Sequence, residues 1–146
     1  MTPKLPVSVL VLVHTAAERE VLLLERAARA GFWQSVTGSL DRLDEPLAAA
    51  AAREVLEETG IDAAAGRLER WNVVYTFEIY PQWRHRFAPG VTQNVEHVFA
   101  LELAARPPVR IAPEEHVAFT WLPWREAAEK CFSWSNRDAI VMLGGQ

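Results

Sequence analysis

The order of apolar and polar positions divides this chain into several strands and a few helices. Residues 6–14 form an uninterrupted run of β-branched and apolar side chains, which is typical of a central strand. Residues 21–25 form a second such run after a polar turn, so the two runs are predicted to pair as a hairpin. Further strands are predicted at residues 33–37, 68–80 (as one strand or two), 95–103 and 117–122.

The pattern changes to that of a helix over residues 46–59. Asp44 is the predicted N-cap, Pro46 suits the first turn, and Gly60 is expected to end the helix in the left-handed conformation. An apolar stripe is predicted to pack on a sheet and to be rotated away from the glutamates of this helix. It consists of Ala48, Ala51, Ala52, Val55 and Leu56.

Two more helices are predicted near the end of the chain, at residues 123–130 and 135–143, the second capped by Ser135 or Asn136. Residues 81–93 are interpreted as a loop because they contain two prolines and a glycine. Strands mixed with helices, without a repeat or a linker, predict a single α/β domain that comprises all 146 residues and packs helices on a mixed sheet.

Composition limits the kind of protein. Half of the residues are hydrophobic and 23% are charged, as in ordinary globular domains. The net charge of −4 argues against binding to nucleic acid polymers. The single cysteine, Cys131, excludes an internal disulfide and is expected to be a partly buried thiol. No basic leader precedes an apolar segment, and no long apolar run occurs, so we expect a cytoplasmic protein that does not enter a membrane. The oligomeric state is left open.

Three carboxylates lie unusually close together on the predicted helix. Glu54, Glu57 and Glu58 stand at positions i, i+3 and i+4, so their side chains should project from one face. Like charges at this spacing repel one another, and an ordinary surface helix avoids them. A hard divalent cation that binds together with a polyphosphate would turn this repulsion into a binding site.

The order of strand, glycine, acidic helix and second glycine resembles the Nudix box of the Nudix hydrolase superfamily. Seven residues separate Glu45 from Arg53, and residues 53–61 (REVLEETGI) match every fixed position. The one departure is that six residues separate Gly38 from Glu45, which we interpret as a one-residue insertion before the helix. The resemblance implies a Nudix-type α/β/α sandwich with a mixed β-sheet and the Nudix helix packed on it.

The resemblance also implies a metal-assisted hydrolysis of a diphosphate linkage, with Mg²⁺ as the cofactor and Mn²⁺ as a substitute. The implied metal ligands are the helix carboxylates and the carbonyl of the box glycine, namely Glu54, Glu57, Glu58 and Gly38. Arg53 is expected to orient the acidic cluster, with an ordinary helix salt bridge as the alternative. Glu45 is expected to orient another member, with a favourable position at the helix N-terminus as the alternative.

One further acid is expected to join the site from outside the box. Glu114 and Glu115 both precede a predicted strand. We favour Glu115 as the outlying metal ligand or the base, and the alternative for this pair is plain surface charge.

Four other segments narrow the resemblance. They are FWQSVTGS at residues 32–39, RHRFAPGVTQNVEH at 84–97, EHVAFTWL at 115–122 and WSNRDAI at 134–140. Together they resemble the bacterial dihydroneopterin triphosphate diphosphatases of folate biosynthesis. The resemblance implies that 7,8-dihydroneopterin triphosphate loses pyrophosphate and leaves dihydroneopterin monophosphate. Two alternatives are a Nudix pyrophosphohydrolase of nucleoside triphosphates such as dATP, and a silent Nudix-fold binding module. The complete set of box carboxylates argues against the second.

The expected partner is therefore a small pterin or nucleoside triphosphate, which needs cations, aromatic walls and a few polar groups. The candidate contacts are two cations, two hydroxyls and two rings: Lys4, Arg26, Thr37, Ser133, Phe77 and Tyr80. Trp33 and Trp134 are further candidate walls, although each of the four rings taken alone is more often a core residue than a ligand contact. The basic triplet at residues 84–86 is either a phosphate clamp or a solvated loop. His97 and His116 are expected to be structural.

Overall fold

One mixed sheet with helices on both faces forms the protein. The computed structural model describes residues 2–146, and Met1, the first residue of the predicted domain, lies outside them. The strands are β1 (Val7–Thr15), β2 (Glu20–Arg26), β3 (Trp33–Gln34), β4 (Val36–Ser39), β5 (Arg67–Glu78), β6 (Gln93–Leu103) and β7 (His116–Pro123). The helices are α1 (Leu47–Thr59), α2 (Trp124–Lys130) and α3 (Trp134–Gly144), with 3-10 turns at Ala63–Ala65 and Pro81–Arg86.

Strand β1 lies at the centre of the sheet. It runs parallel to β6 over its whole length and antiparallel to β4 on its other side. It meets β2 only at His14 and Val21, so the predicted hairpin is short. Strand β2 diverges from β1 and pairs with β7 and β3 instead, while β5 pairs with the outer edge of β6. This divergence opens the sheet at one end, and the site described below lies there.

Strand alternation separates two cores, because successive side chains of a strand point to opposite faces of the sheet. Val9, Val11 and Val13 of β1 pack in the cluster that contains α1. Leu10 and Leu12 pack in the second cluster, which contains α2 and α3. The predicted α/β/α sandwich with a mixed sheet is confirmed. No helix in residues 2–146 is long and apolar enough to cross a membrane.

The boundaries of α1 differ in one respect from the prediction. The helix begins at Leu47, and Pro46 occupies the N-cap position without a side-chain hydrogen bond. Asp44 is therefore not the cap, and it instead forms an exposed ion pair with Arg42 at 2.9 Å. At the other end, Gly60 has a φ of 73°, the left-handed conformation predicted for it.

The predicted apolar stripe of α1 is only partly right: Ala51 and Val55 are buried, but two members are exposed and the buried face is not rotated away from the glutamates. Ala48 is exposed and the side chain of Leu56 is 54% exposed. The helix also buries Ala50, which was not predicted, and the same buried face includes Glu54 and Glu58. Five consecutive alanines present small side chains all around the first turns, so apolar periodicity alone did not fix the rotation of the helix.

Three further segments differ from their predictions. The strand expected at residues 33–37 is divided at Ser35, whose N–H donates to Asn136 Oδ1 at 2.7 Å instead of to a strand. Ser133, not Ser135 or Asn136, caps α3. The region of residues 68–80 is a single strand with a bulge before Val74, and the predicted loop after it contains the 3-10 turn Pro81–Arg86.

Candidate active site

Arg53 joins one acid that precedes α1 and two acids of the helix itself into one network. Its Nε and Nη2 donate to the two carboxylate oxygens of Glu45 at 2.9 and 3.0 Å, a two-point contact. Its Nη1 donates to Glu54 Oε1 at 2.8 Å and to Glu57 Oε2 at 3.4 Å. The hydrogen bond from Arg53 is the main reason that the pKa of Glu45 is lowered. One guanidinium therefore fixes three carboxylates.

The extra residue in the loop before Glu45 does not disturb this network. Residues 41–44 are exposed, whereas Leu40 on one side and Glu45 on the other are buried. The N–H of Asp41 donates to Glu45 Oε1 at 2.8 Å, which closes the loop at its base. The longer loop therefore extends into solvent, and Glu45 keeps its contact with Arg53.

Gly38 lies directly against the carboxylate of Glu54. Its neighbour across the sheet is Val9, and a Cβ atom at position 38 would overlap the Glu54 carboxylate. Glycine is thus required here for close approach of strand β4 to the helix, and not for a left-handed φ.

We predict that Gly38→Ala lowers kcat by at least about tenfold and the free energy of unfolding by about 1–3 kcal/mol, because the methyl group displaces Glu54. Steady-state kinetics and chemical denaturation measure the two effects. Gly145→Ala is the matched control, since a Cβ there makes only ordinary contacts and the φ of Gly145 is −83°. Wild-type stability and kcat in Gly38→Ala would contradict the predicted displacement.

Glu54 and Glu58 form a buried acidic pair one helical turn apart. They are 8% and 2% exposed. Burial raises the pKa of both carboxyls, and for Glu58 the nearby Glu54 raises it further. Glu58 Oε1 has no hydrogen-bond partner among residues 2–146. Glu57 is more exposed, so the three glutamates do not share one environment as their spacing suggested.

Glu115 and His116 approach Glu58 from the start of β7. Each of these three side chains offers one ligand atom, and the three atoms lie within 4.8 Å of one another. His116 Nε2 is 3.8 Å from Glu58 Oε1. Burial, and secondarily Arg26, lowers the pKa of His116 to about 4, so its imidazole is neutral at physiological pH. Glu114 does not belong to this cluster.

The chemistry of this cluster fits a divalent cation. Buried carboxylates require a counter-charge, and Glu58 holds an oxygen without a partner. Carboxylate oxygens are the preferred ligands of Mg²⁺ and Mn²⁺. Sequence reasoning interpreted His116 only as structural. The sequence feature that could have identified His116 is its position directly after Glu115, since two possible metal ligands are then adjacent in the chain.

A cavity of about 790 Å³ opens beside the acidic cluster. All six residues predicted to contact the substrate line it: Lys4, Arg26, Thr37, Phe77, Tyr80 and Ser133. Trp134 and two members of the basic triplet, Arg84 and Arg86, also line it, whereas His85 does not. The acids on α1 and Glu115 do not line the cavity, whereas Glu78 and Glu96 do. Gly38, against Glu54, and Arg26, beside Glu58 and Glu115, lie between the cavity and the acids.

Three cations gather at the end of the cavity nearest the acids. Burial lowers the pKa of Lys4, and the neighbouring positive charges of Arg86 and Arg26 lower it further. An anion bound among these groups would relieve their mutual repulsion. Arg84 is different, because it pairs with Glu78 at 3.0 Å and donates to the Ile79 carbonyl. The basic triplet is thus divided between a structural contact and the cation cluster.

The aromatic walls are partly different from those predicted. Trp33 does not line the cavity, because it packs with the second core and under Lys130, whose Nζ lies 4.8 Å from the ring centroid. Trp83, which the sequence did not single out, lines the cavity and packs edge-to-face on Tyr80 at 5.3 Å. The guanidinium carbon of Arg26 lies 4.8 Å from the centroid of the Trp83 ring. The sequence interpretation placed Trp83 in an aromatic, basic loop but did not assign it a role.

The mixed sheet and the acidic helix packed on it are those of a Nudix hydrolase. Residues 4–142 match the NUDIX domain family model, and the chain belongs to that family.

Its similarity to curated relatives is more specific. The chain is 45% identical to the dihydroneopterin triphosphate diphosphatase of Escherichia coli K12, over 94% of this chain and 91% of the relative. It is 36% identical to the enzyme of that name from Haemophilus influenzae, over 91% and 84%. A solved structure of the E. coli dihydroneopterin triphosphate pyrophosphohydrolase superimposes with a TM-score of 0.89 at 42% identity, covering 96% of this chain and 95% of that one.

Proposed function

We propose that this protein hydrolyses 7,8-dihydroneopterin triphosphate to dihydroneopterin monophosphate and pyrophosphate, with Mg²⁺ as its cofactor. The observation that carries the proposal is the 45% identity to the E. coli diphosphatase over 94% of the chain. The cavity supports it, because cations lie at the end near the acids and aromatic rings form much of the remaining wall.

The metal would be held by the acids around α1 and by the backbone next to them. These ligands are Glu54, Glu57, Glu58, Glu115 and the carbonyl of Gly38. A divalent ion bound there supplies charge neutralisation at the phosphate oxygens and Lewis acidity for the attack of water. Glu115 serves as the outlying ligand or as the base that takes a proton from that water. Mn²⁺, which accepts the same oxygen ligands, is expected to substitute.

The other charged residues position the reacting groups. Arg53 holds Glu54 and Glu57, and Glu45 fixes the guanidinium of Arg53 in turn. Lys4 and Arg26 bind the triphosphate, since both are cationic and line the cavity beside the acids. Hydrolysis then adds water across the bridge between the α- and β-phosphates, which leaves a monophosphate on the pterin side and releases pyrophosphate.

The pterin would occupy the aromatic part of the cavity. Phe77, Tyr80 and Trp134 line it, and Trp134 is half exposed. Flat rings gain from stacking on such walls. The hydroxyls of Thr37 and Ser133 line the same space and can hydrogen-bond the substrate.

A substrate panel tests this proposal. With purified protein and Mg²⁺, kcat/KM for 7,8-dihydroneopterin triphosphate is expected to exceed that for dATP, dGTP and the other common nucleoside triphosphates by at least about tenfold, since a site that hydrogen-bonds the edge of a pterin would reject rings without the matching groups. A higher kcat/KM for dATP would overturn the assignment and support a nucleotide-cleansing Nudix enzyme instead.

A further inference from the structure

Arg26 is a cation of the cavity that has few polar contacts within the protein. It ends strand β2, is half buried, and lines the cavity. Its Nη1 donates to Gln34 Oε1 at 3.5 Å, which is longer than an ordinary hydrogen bond, and its Nε has no partner among residues 2–146. No carboxylate in the described part of the chain forms a salt bridge with it. Polar contacts therefore do not fix the direction in which this guanidinium points.

The ring of Trp83 contacts this guanidinium. The guanidinium carbon of Arg26 lies 4.8 Å from the centroid of the ring, within the distance at which the face of an aromatic ring attracts a cation. Among the aromatic side chains, tryptophan attracts cations most strongly. Because the attraction is to the ring and not to an acceptor atom, it uses none of the N–H donors of the guanidinium, and they stay available for an anion.

Trp83 is itself held in place by other aromatic rings. It packs edge-to-face on Tyr80 and on Phe132, with centroid distances of 5.3 and 6.2 Å. Phe132 in turn stacks on Phe32 at 4.5 Å. These rings come from three separate segments of the chain, so more than one segment determines the position of the indole. A half-buried ring that is fixed in this way can hold a long, flexible side chain at one place.

The 3-10 turn that carries Trp83 is joined to the cations of the cavity. The N–H of Trp83 donates to the Tyr80 carbonyl at 2.9 Å, which closes the turn. The N–H of Lys4 donates to the Arg86 carbonyl at 2.8 Å, near the end of the same turn. Burial lowers the pKa of Arg26, and the neighbouring charge of Arg86 lowers it further. One short segment thus places a ring against one cation and adds a second cation to the cluster.

We propose that Trp83 is a positioning residue for polyphosphate binding, because its ring holds the Arg26 guanidinium at the place where it meets the phosphate oxygens. This inference rests on the proposed function, in which Arg26 binds the triphosphate, and adds the residue that orients it. Without the ring, repulsion from Arg86 and the pull of solvent would favour an outward rotamer. A cation that is already in place binds an anion more tightly, since binding does not then have to order the side chain.

The first test measures polyphosphate binding without turnover. Inorganic tripolyphosphate is titrated in the presence of Mg²⁺ into wild type, Trp83→Leu and Trp83→Phe, and calorimetry gives the Kd. Leucine has no ring face, so its Kd is expected to be at least about fivefold higher than that of wild type. Phenylalanine keeps a ring with a weaker attraction, so its Kd should lie between the two. Equal Kd values for wild type and Trp83→Leu would overturn the proposal. Equal losses in both variants would overturn it too, because the loss would then not depend on a ring face.

The second test asks whether Trp83 acts through Arg26. In the Arg26→Gln background, Trp83→Leu should change the Kd of tripolyphosphate by less than about twofold, since the ring has no cation left to hold. An undiminished fivefold effect in the double variant would contradict the proposal. Trp124→Leu is the matched control, because Trp124 has the guanidinium of Arg125 at 5.0 Å but does not line the cavity, and it should keep the wild-type Kd.

Kinetics with 7,8-dihydroneopterin triphosphate separate this inference from the proposed function. In Trp83→Leu, KM should rise at least about fivefold while kcat stays within about threefold, because the phosphate contact is weakened and the acids are unchanged. A parallel fall in kcat and thermal stability with an unchanged KM would assign Trp83 a structural role and overturn its positioning role. If the wild-type protein does not hydrolyse this substrate, the proposed function fails, while tripolyphosphate binding by the single and double variants still decides the role of Trp83.

Discussion

Glu58→Gln is expected to lower kcat on the order of 10³-fold while the protein still folds, because the substitution keeps the shape of the side chain and removes a charge from the candidate metal site. Glu58 is 2% exposed, and its Oε1 has no partner among the described residues. The variant amide is neutral and a weaker ligand for a hard cation. Steady-state kinetics at saturating substrate and Mg²⁺ measure the loss.

The same substitution should not destabilise the metal-free protein at pH 8. Burial and Glu54 raise the pKa of Glu58 above its ordinary value of 4.5, so the folded state holds this proton more tightly than the unfolded state. The stability that Glu58 contributes is present below pH 4.5 and is lost as pH rises through the folded pKa. When thermal unfolding is measured in the presence of a chelator, the stability of Glu58→Gln should therefore fall less with rising pH than that of the wild type.

Glu129→Gln is the control, since Glu129 is exposed on α2 and far from the acidic cluster in the fold. It should leave kcat and the pH profile of stability unchanged. Wild-type turnover in Glu58→Gln would contradict the assignment of α1 as the metal helix.

Arg53→Ala is expected to lower kcat/KM on the order of 10²-fold and the free energy of unfolding by about 1–2 kcal/mol. The guanidinium contacts Glu45, Glu54 and Glu57, and its removal leaves these carboxylates without their shared donor. The pKa of Glu45 is lowered by Arg53, so that part of the stability exists above pH 4.5 and disappears as pH falls. Kinetics and denaturation at pH 7.5 and pH 4 measure both effects.

Arg53→Lys separates charge from geometry. Lysine keeps the positive charge but cannot donate at two points to Glu45 while also reaching Glu54. We expect an intermediate loss of kcat/KM and a smaller loss of stability than in the alanine variant. If Arg53→Ala had wild-type kcat/KM, the guanidinium would be a surface ion pair without a role in positioning the acids.

The sequence predicted the acidic helix well but not its orientation. Charge spacing and the terminal Gly60 located α1 to within a residue at each end. Ala51 and Val55 were correctly predicted to be buried, but Ala48 and Leu56 were not, because alanines on several sides give no apolar preference. Two of the glutamates face inward in the structure, where close approach to Gly38 is possible only without a side chain. The contact between Gly38 and Glu54 joins strand β4 to helix α1, and no local sequence pattern predicts it.

The residues missed in the cavity have a similar explanation. Glu96 sits in a strand that is buried on both faces, so simple alternation did not mark it as inward-facing. Its register with β1 and β5 depends on pairings between distant segments. Trp83 lies in a segment interpreted as loop, and its position depends on the 3-10 turn Pro81–Arg86. The resemblance found the residues of the box and six residues that line the cavity, whereas the positions of Glu96 and Trp83 depend on tertiary structure.

The most direct test of the central claim is the product ratio during turnover of 7,8-dihydroneopterin triphosphate. With Mg²⁺, the account predicts one pyrophosphate for each dihydroneopterin monophosphate, no orthophosphate, and no turnover after a chelator is added. Sequential release of orthophosphate, or undiminished turnover in the chelator, would contradict it.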